Sequence, residues 1–252
     1  MKLDKIYEIV FYISNKDQKG SRLSPKDLNN LFHLVDINVM NRLLGIKSPI
    51  TSITSQVIYE INQSVTEKIK RFKVIKGHGQ SVPLIANNGF AVLPTDYLYP
   101  SSLSYTDETG MVIEIEALSD AEYISRQGDV LASPNADYPI CNFQNSALFV
   151  KPNSISRIDF IYIRKPITAF FDYYISPTKG VIYVEEGQSY TLQTGEEAPN
   201  HPLVSVGQSF TSLSKELDFN EEMHPEYIIE ILKLMGINLR DTELYQAITA
   251  QQ

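Results

Sequence analysis

Tryptophan is absent from the 252 residues and cysteine occurs once, at Cys141. A single cysteine excludes an internal disulfide and a paired-cysteine zinc site. The four histidines, His33, His78, His201 and His224, are scattered, and none has a second His or Cys three or four residues on. That spacing argues against a helical metal motif. No apolar run approaches the roughly 20 residues needed to cross a bilayer, so no membrane partner is expected. The opening MKLDKIYEIVFYISNKDQKG is interrupted by Asp4, Lys5 and Glu8 and lacks the plan of a signal peptide. The expectation is a soluble protein made in a reducing cytoplasm. Basic residues are in deficit, 22 Lys and Arg against 30 Asp and Glu, for a net charge of −8. That balance argues against tight duplex binding, which relies on many Lys and Arg contacts to phosphate.

What is present is ordinary globular material with two biases. Hydrophobic residues make up 43% and charged residues 21%, enough to bury a sizeable core. Fifteen tyrosines suggest many half-buried contacts of the kind enriched at interfaces, with ordinary strand packing as the plain alternative. Charge is unevenly placed. Lys215–Gln252 holds three basic and eight acidic residues, a net −5, whereas Glu67–Lys76 holds five basic and one acidic, a net +4. Solvated faces are the plain reading of both clusters.

Leu3, Ile6, Ile9, Val10 and Ile13 recur at helical spacing, and the loop NKDQKGSR breaks the pattern. Ser24-Pro25-Lys26-Asp27 is a start signal: Ser24 caps, Pro25 takes the first turn and Asp27 suits the helix dipole. The second helix carries Leu28, Leu31, Phe32, Val35, Val39 and Leu43, with Gly45 as its stop. Residues 46–66 read as a Ser/Thr-rich loop and a possible short helix over VIYEINQSV. From Ile69 the period changes to two, so KIKRFKVIK predicts a strand. GFAVLPTDYLYPSSLSYTD predicts strands broken at Pro94, and MVIEIEAL predicts one more. Ser119-Asp120-Ala121-Glu122 is a capping box that predicts a helix over about 120–128. Ala147–Val150 and Arg157–Arg164 predict strands that stop at Pro152 and Pro166, because proline cannot donate to a ladder. Both faces of RIDFIYIR are largely apolar, which predicts cover on both sides. Strands at 180–184 and 188–193 read as a projecting hairpin. Pro225 and Glu226 open a last long helix that Gly236 caps, and a short helix follows from Asp241.

These elements predict an α+β fold. An N-terminal helical region (1–66) and a C-terminal helix (214–252) pack together, around a β-rich, sandwich-like or barrel-like region (67–213) with a projecting hairpin. No internal repeat is visible.

Candidate chemistry is thin. Lys76-Gly77-His78-Gly79 is the nearest glycine cluster to a phosphate loop, but lacks the closing Lys-Ser/Thr. His78 between two glycines reads as a turn residue rather than a base, and His33 as a surface residue. No Gly-x-Ser-x-Gly elbow is present. Cys141 reads as buried and inert. Glu114 and Glu116 alternate on one predicted strand face, where a metal or acid/base role is conceivable and solvation is commoner. No catalytic, cofactor-binding or metal residue is therefore assigned, and no enzyme activity or cofactor is expected.

The order of these signals resembles a known family. ISNKDQKGSRLSPKDLNNLFHLVDINVMNRLLG, with Asn15, Lys16, Gln18, Gly20, Ser24, Pro25 and Asn29, resembles the opening of head-to-tail ring (connector) proteins of crAss-like phages. LPTDYL (Leu93–Leu98) and the strand–Lys-Pro–strand–Arg-x-Pro passage Phe149–Pro166 are similar to the podovirus head-to-tail adaptor, or gatekeeper, pattern. LDFNEEMHPEYIIEILKLMGINLRDTEL looks like that family's closing segment. The likeness spans nearly the whole chain, except 167–213, and rests on order rather than on any one motif. It implies a structural virion protein of the neck or tail, assembled in the host cytoplasm. It also implies a homo-oligomeric ring, expected at twelve copies, that meets the portal or neighbouring rings and tail proteins while DNA passes through unbound. The alternatives are another tail-completion, stopper or baseplate protein, or a monomeric β-rich carbohydrate-active enzyme.

Overall fold

The computed structural model describes residues 2–16, 24–44, 67–79, 81–129 and 132–236. The expected loop and helix over 46–66, the stop at Gly45 and the helix from Asp241 lie outside these residues. The fold is α+β, with helices near both ends and strands between them. By contact it divides into two compact units, one made of Met1–Lys68 with Pro166–Gln252 and the other of Ile69–Lys165. The division falls at Pro166, so the strands of 166–213 group with the terminal helices rather than with the strands of 69–165.

In the first unit, α1 (Leu3–Lys16) buries Leu3, Ile6, Ile9 and Val10. It runs through Asn15 and Lys16, two residues into the expected loop. The helix α2 (Pro25–Leu43) starts at the expected cap, and Asp27 does more than suit the dipole: its N–H donates to Ser24 Oγ, and the Ser24 N–H donates to its carboxylate. Such a cap stabilises a helix by about 1 kcal/mol. Leu28, Phe32, Val35, Val39, Met40 and Leu43 are buried on one stripe. That stripe meets a C-terminal helix, here α4 (His224–Leu234), which buries Tyr227, Ile228, Ile231 and Leu232 and also touches α1. Gly236 follows α4 at φ +75°, the left-handed position that closes a helix and favours glycine.

The expected 180–193 hairpin is replaced by two ladders. β10 (Tyr173–Ser176) pairs antiparallel with β11 (Gly180–Tyr183), and β12 (Ser189–Thr191) pairs antiparallel with β13 (Ser209–Thr211). The predicted strands form near their expected places but do not pair with each other. The reason is burial: Tyr174, Val184, Leu192, Ala198 and Phe210 build a small core, and Tyr174 stacks on Tyr190 at 4.0 Å.

The second unit is a two-sheet sandwich. Its strands are β1 (Lys73–Lys76), β2 (Leu84–Ile85), β3 (Phe90–Val92), β4 (Tyr97–Thr106), β5 (Val112–Glu114), β6 (Glu116–Ala117), β7 (Ile140–Gln144), β8 (Ala147–Lys151) and β9 (Arg157–Arg164). One sheet runs β1-β9-β4-β5 with β2 also on β9; the other runs β3-β8-β7-β6. Leu103, Cys141, Leu148, Val150, Ile158, Phe160 and Tyr162 fill the space between them. The helix α3 (Asp120–Gly128) opens on the expected Ser119–Glu122 box and touches β7.

Three strand expectations need correction. Ile69 and Phe72 are both buried three residues apart, so Lys70–Phe72 winds as a 3-10 turn and the strand starts only at Lys73. MVIEIEAL is two strands. Ile115 turns into the core and donates its N–H to Leu103 O, after which Glu116 takes Pro139 O in the other sheet. The β9 strand is fully covered on one face and partly covered on the other: Ile158, Phe160 and Tyr162 are buried between the sheets, whereas Asp159, Ile161 and Ile163 are half-buried. Among the described residues no helix is long and apolar enough to cross a membrane.

Candidate functional site

The residues weighed for chemistry fall in separate places. Cys141 is fully buried, and burial pushes its thiol up to about 12. A thiol held protonated in this way is a poor nucleophile. Glu114 and Glu116 are exposed and sit on strands of different sheets. They flank a groove of about 470 Å³ with Pro100, Ser102 and Ala117, and Glu116 lies 3.7 Å from the Arg126 guanidinium. His33 is exposed on α2, and His224 is buried with Nε2 3.2 Å from Phe219 O. Among the described residues no three His, Cys, Asp or Glu side chains converge where a metal ion could sit.

The glycine cluster does make a local constellation. Gly77, His78 and Gly79 all have positive φ, at 86°, 50° and 70°. A Cβ on Gly77 would stand 1.9 Å from Asp159 Oδ1, so this close approach requires glycine. The His78 N–H donates to Asp159 Oδ1 at 2.9 Å, and His78 Nδ1 lies 3.8 Å from Asp159 Oδ2. Ser81 Oγ donates to Ile75 O at 2.7 Å and accepts from the Gly77 N–H at 3.1 Å. The serine hydroxyl is thus committed to backbone. These residues, with Thr106, Val112 and Arg157, line a groove of about 560 Å³. The geometry reads as a closed turn, anchored by a carboxylate on the neighbouring strand.

Two buried carboxylates, Asp36 and Asp172, meet partners from other elements, and neither is marked by a local motif. Asp172 has a fully buried side chain. Its Oδ1 accepts from Asn200 Nδ2 at 2.9 Å and from the Tyr173 N–H at 3.0 Å. Its Oδ2 accepts from the Leu213 N–H at 2.8 Å and lies 2.7 Å from His201 Nε2. Burial alone would push this carboxyl up, but the hydrogen bonds outweigh it and hold the group below its ordinary value of 3.8. The His201 ring packs on Phe210 with centroids 4.3 Å apart. Asp36, on α2, accepts from Tyr227 Oη at 2.8 Å, and burial lifts it from 3.8 to about 6.

Several of the residues singled out in the sequence hold backbone or another element in place. Asp96, from LPTDYL, accepts from Tyr162 Oη at 2.9 Å, and its backbone oxygen accepts from the Lys165 N–H at 2.7 Å. That joins LPTDYL to the IYIRKP passage. In the other unit, the Asn29 side-chain amide donates to Phe171 O at 2.9 Å and accepts from the Phe171 N–H at 2.7 Å. Asn29 thereby closes a two-bond clamp on an extended backbone. Ser24 caps and Pro25 fills the first turn of the same helix. Each of these side chains is spent on holding backbone or another element in place.

No family model matches the chain, and no curated protein matches it.

Proposed function

We propose that the chain is a structural virion protein, a subunit of a ring in the portal-proximal neck or tail of a tailed phage, forming part of the conduit for DNA. The observation that supports this most is where the resemblance motifs fall. Asn29 and Ser24 bond backbone, and Asp96 ties LPTDYL to the strand and Arg-Lys-Pro corner at 162–166 through Tyr162 Oη and the Lys165 N–H. A motif set of that kind specifies shape. The physics of a ring fits the same reading: each copy must present two different patches to its two neighbours. The net charge of −8 suits a conduit that must release DNA rather than hold it.

The test is the particle itself. Cryo-microscopy of virions from the virus that encodes this chain is expected to show it as a closed ring of copies, twelve by the family resemblance, between portal and tail. Particles that lack the polypeptide would overturn the reading. So would a purified monomer that turns over a small compound unaided.

A further inference from the structure

We propose that the β1 edge of the second unit docks on the β5 edge of a second copy of this chain, basic side against acidic side. The inference rests on the ring reading above and names the surface that would close the ring. In the sheet order β1-β9-β4-β5 these two strands are the opposite ends. Their charges are opposite too. From Ile69 to Gly79 there is no acidic residue, and Lys70, Arg71, Lys73 and Lys76 stand on or next to β1. Between Lys76 and Arg126 there is no Lys or Arg, while Asp107, Glu108, Glu114 and Glu116 stand on or next to β5. Lys70, Lys73, Glu108 and Glu114 are all exposed and have no ion-pair partner among the described residues.

Each edge also carries exposed apolar side chains beside its charges. Val82 and Ile85 are 74% and 49% exposed next to β1, and Met111 and Val112 are 64% and 60% exposed at β5. The acidic edge is concave, because Glu114 and Glu116 flank the 470 Å³ groove; Glu116 lies 3.7 Å from Arg126, so Glu114 is the carboxylate there without an ion-pair partner among the described residues. An ammonium on a long stem fits such a groove, and apolar side chains beside it give the contact area that charges alone do not. A patch that meets a different patch on the next copy propagates, and closes when the rotation per copy divides a circle. Complementary potential sets register and suppresses the wrong pairing of like edges.

The test uses two full-length variants. Lys73→Glu/Lys76→Glu makes both edges acidic, and Glu108→Lys/Glu114→Lys makes both basic. All four sites lie outside the buried core, so circular dichroism and melting should match wild type. Sedimentation and light scattering then read self-association in low and high salt. The expected result is wild-type association that weakens with salt, a loss of more than about tenfold for each variant alone, and recovery when the two are mixed. If wild type associates and the variants associate equally well, this interface is wrong and the ring reading stands on the particle images. If neither wild type nor the mixture associates at any attainable concentration, the interface is overturned. It is overturned as well if Lys73→Glu/Lys76→Glu abolishes binding of duplex DNA but leaves self-association intact.

Discussion

Tyr227 on α4 donates its hydroxyl hydrogen to Asp36 on α2, 2.8 Å away, and both side chains are buried in the contact between the terminal helices. This is a buried polar contact between the two helices, and it makes stability depend on pH. The folded Asp36 carboxyl sits at about 6 against an ordinary 3.8, because burial disfavours its charged form. A raised folded value contributes stability below about pH 4 that is lost as pH rises through 6. The difference is on the order of 3 kcal/mol. Asp36→Asn keeps an acceptor for Tyr227 and removes the charge. We expect it to be more stable than wild type at pH 7 and to lack the loss between pH 4 and 7, as read by urea unfolding. A variant less stable than wild type at pH 7 contradicts this account.

Gly77 and Asp159 make a second test. Gly77→Ala puts a Cβ at φ +86° and within 1.9 Å of Asp159 Oδ1. The carboxylate must swing away, and the His78 N–H loses its acceptor. A cost of about 1–3 kcal/mol is expected. Asp159→Ala removes the obstruction, so the double variant should cost less than the sum of the two single ones. Strict additivity would show that the close approach does not matter.

Local signals were readable where the physics is local. The Ser24–Asp27 and Ser119–Glu122 boxes start helices at the expected residues, since a cap involves only neighbours. Arg157–Arg164 is a strand with its expected bounds, because alternation and the following proline fix it. Pairing was not readable in the same way. β11 and β12 form, but each takes a partner chosen by the small core around Tyr174 and Leu192. MVIEIEAL alternates as one strand does, yet Ile115 is worth more in the core than on a continuous ladder. The sites show the same division. His78 in a turn follows from its flanking glycines, whereas its anchor Asp159 is 81 residues away in the sequence. Asp36 and Asp172 carry no local mark. A buried carboxylate in a helix looks like any surface one until the partner helix is in place, and Asp172 meets Asn200, His201 and Leu213 only through tertiary contact.

Asn29 gives a test of the contact between α2 and the extended chain at Phe171. Its amide makes two bonds to one residue's backbone, at 2.9 and 2.7 Å. Asn29→Ala leaves the Phe171 N–H without this acceptor, and a loss of about 1–3 kcal/mol is expected. Asn29→Asp should keep the acceptor and lose the donor, so it should fall between alanine and wild type at neutral pH. Equal unfolding midpoints for Asn29→Ala and wild type would show that the clamp does not hold this unit together.

Asp172 supplies the acid limb of the stability curve. Its folded carboxyl is held below 3.8, since the bonds from His201, Leu213 and Asn200 outweigh burial. A depressed folded value contributes stability above about pH 4 that is lost as pH falls through the folded value. Asp36 acts in the opposite sense, so these two groups together place a stability maximum near pH 4. Asp172→Asn replaces a carboxylate oxygen with an amide donor facing other donors, and it should cost roughly 3 kcal/mol at pH 7. The acid limb below pH 4 should flatten in this variant, while the loss between pH 4 and 7 from Asp36 remains. His201→Ala separates the pair: it keeps the carboxylate and its backbone donors, so it should cost less than Asp172→Asn and retain part of the acid limb. Urea midpoints measured from pH 3 to pH 8 on the three proteins decide the point, and an acid limb unchanged in Asp172→Asn would assign that limb to other carboxylates.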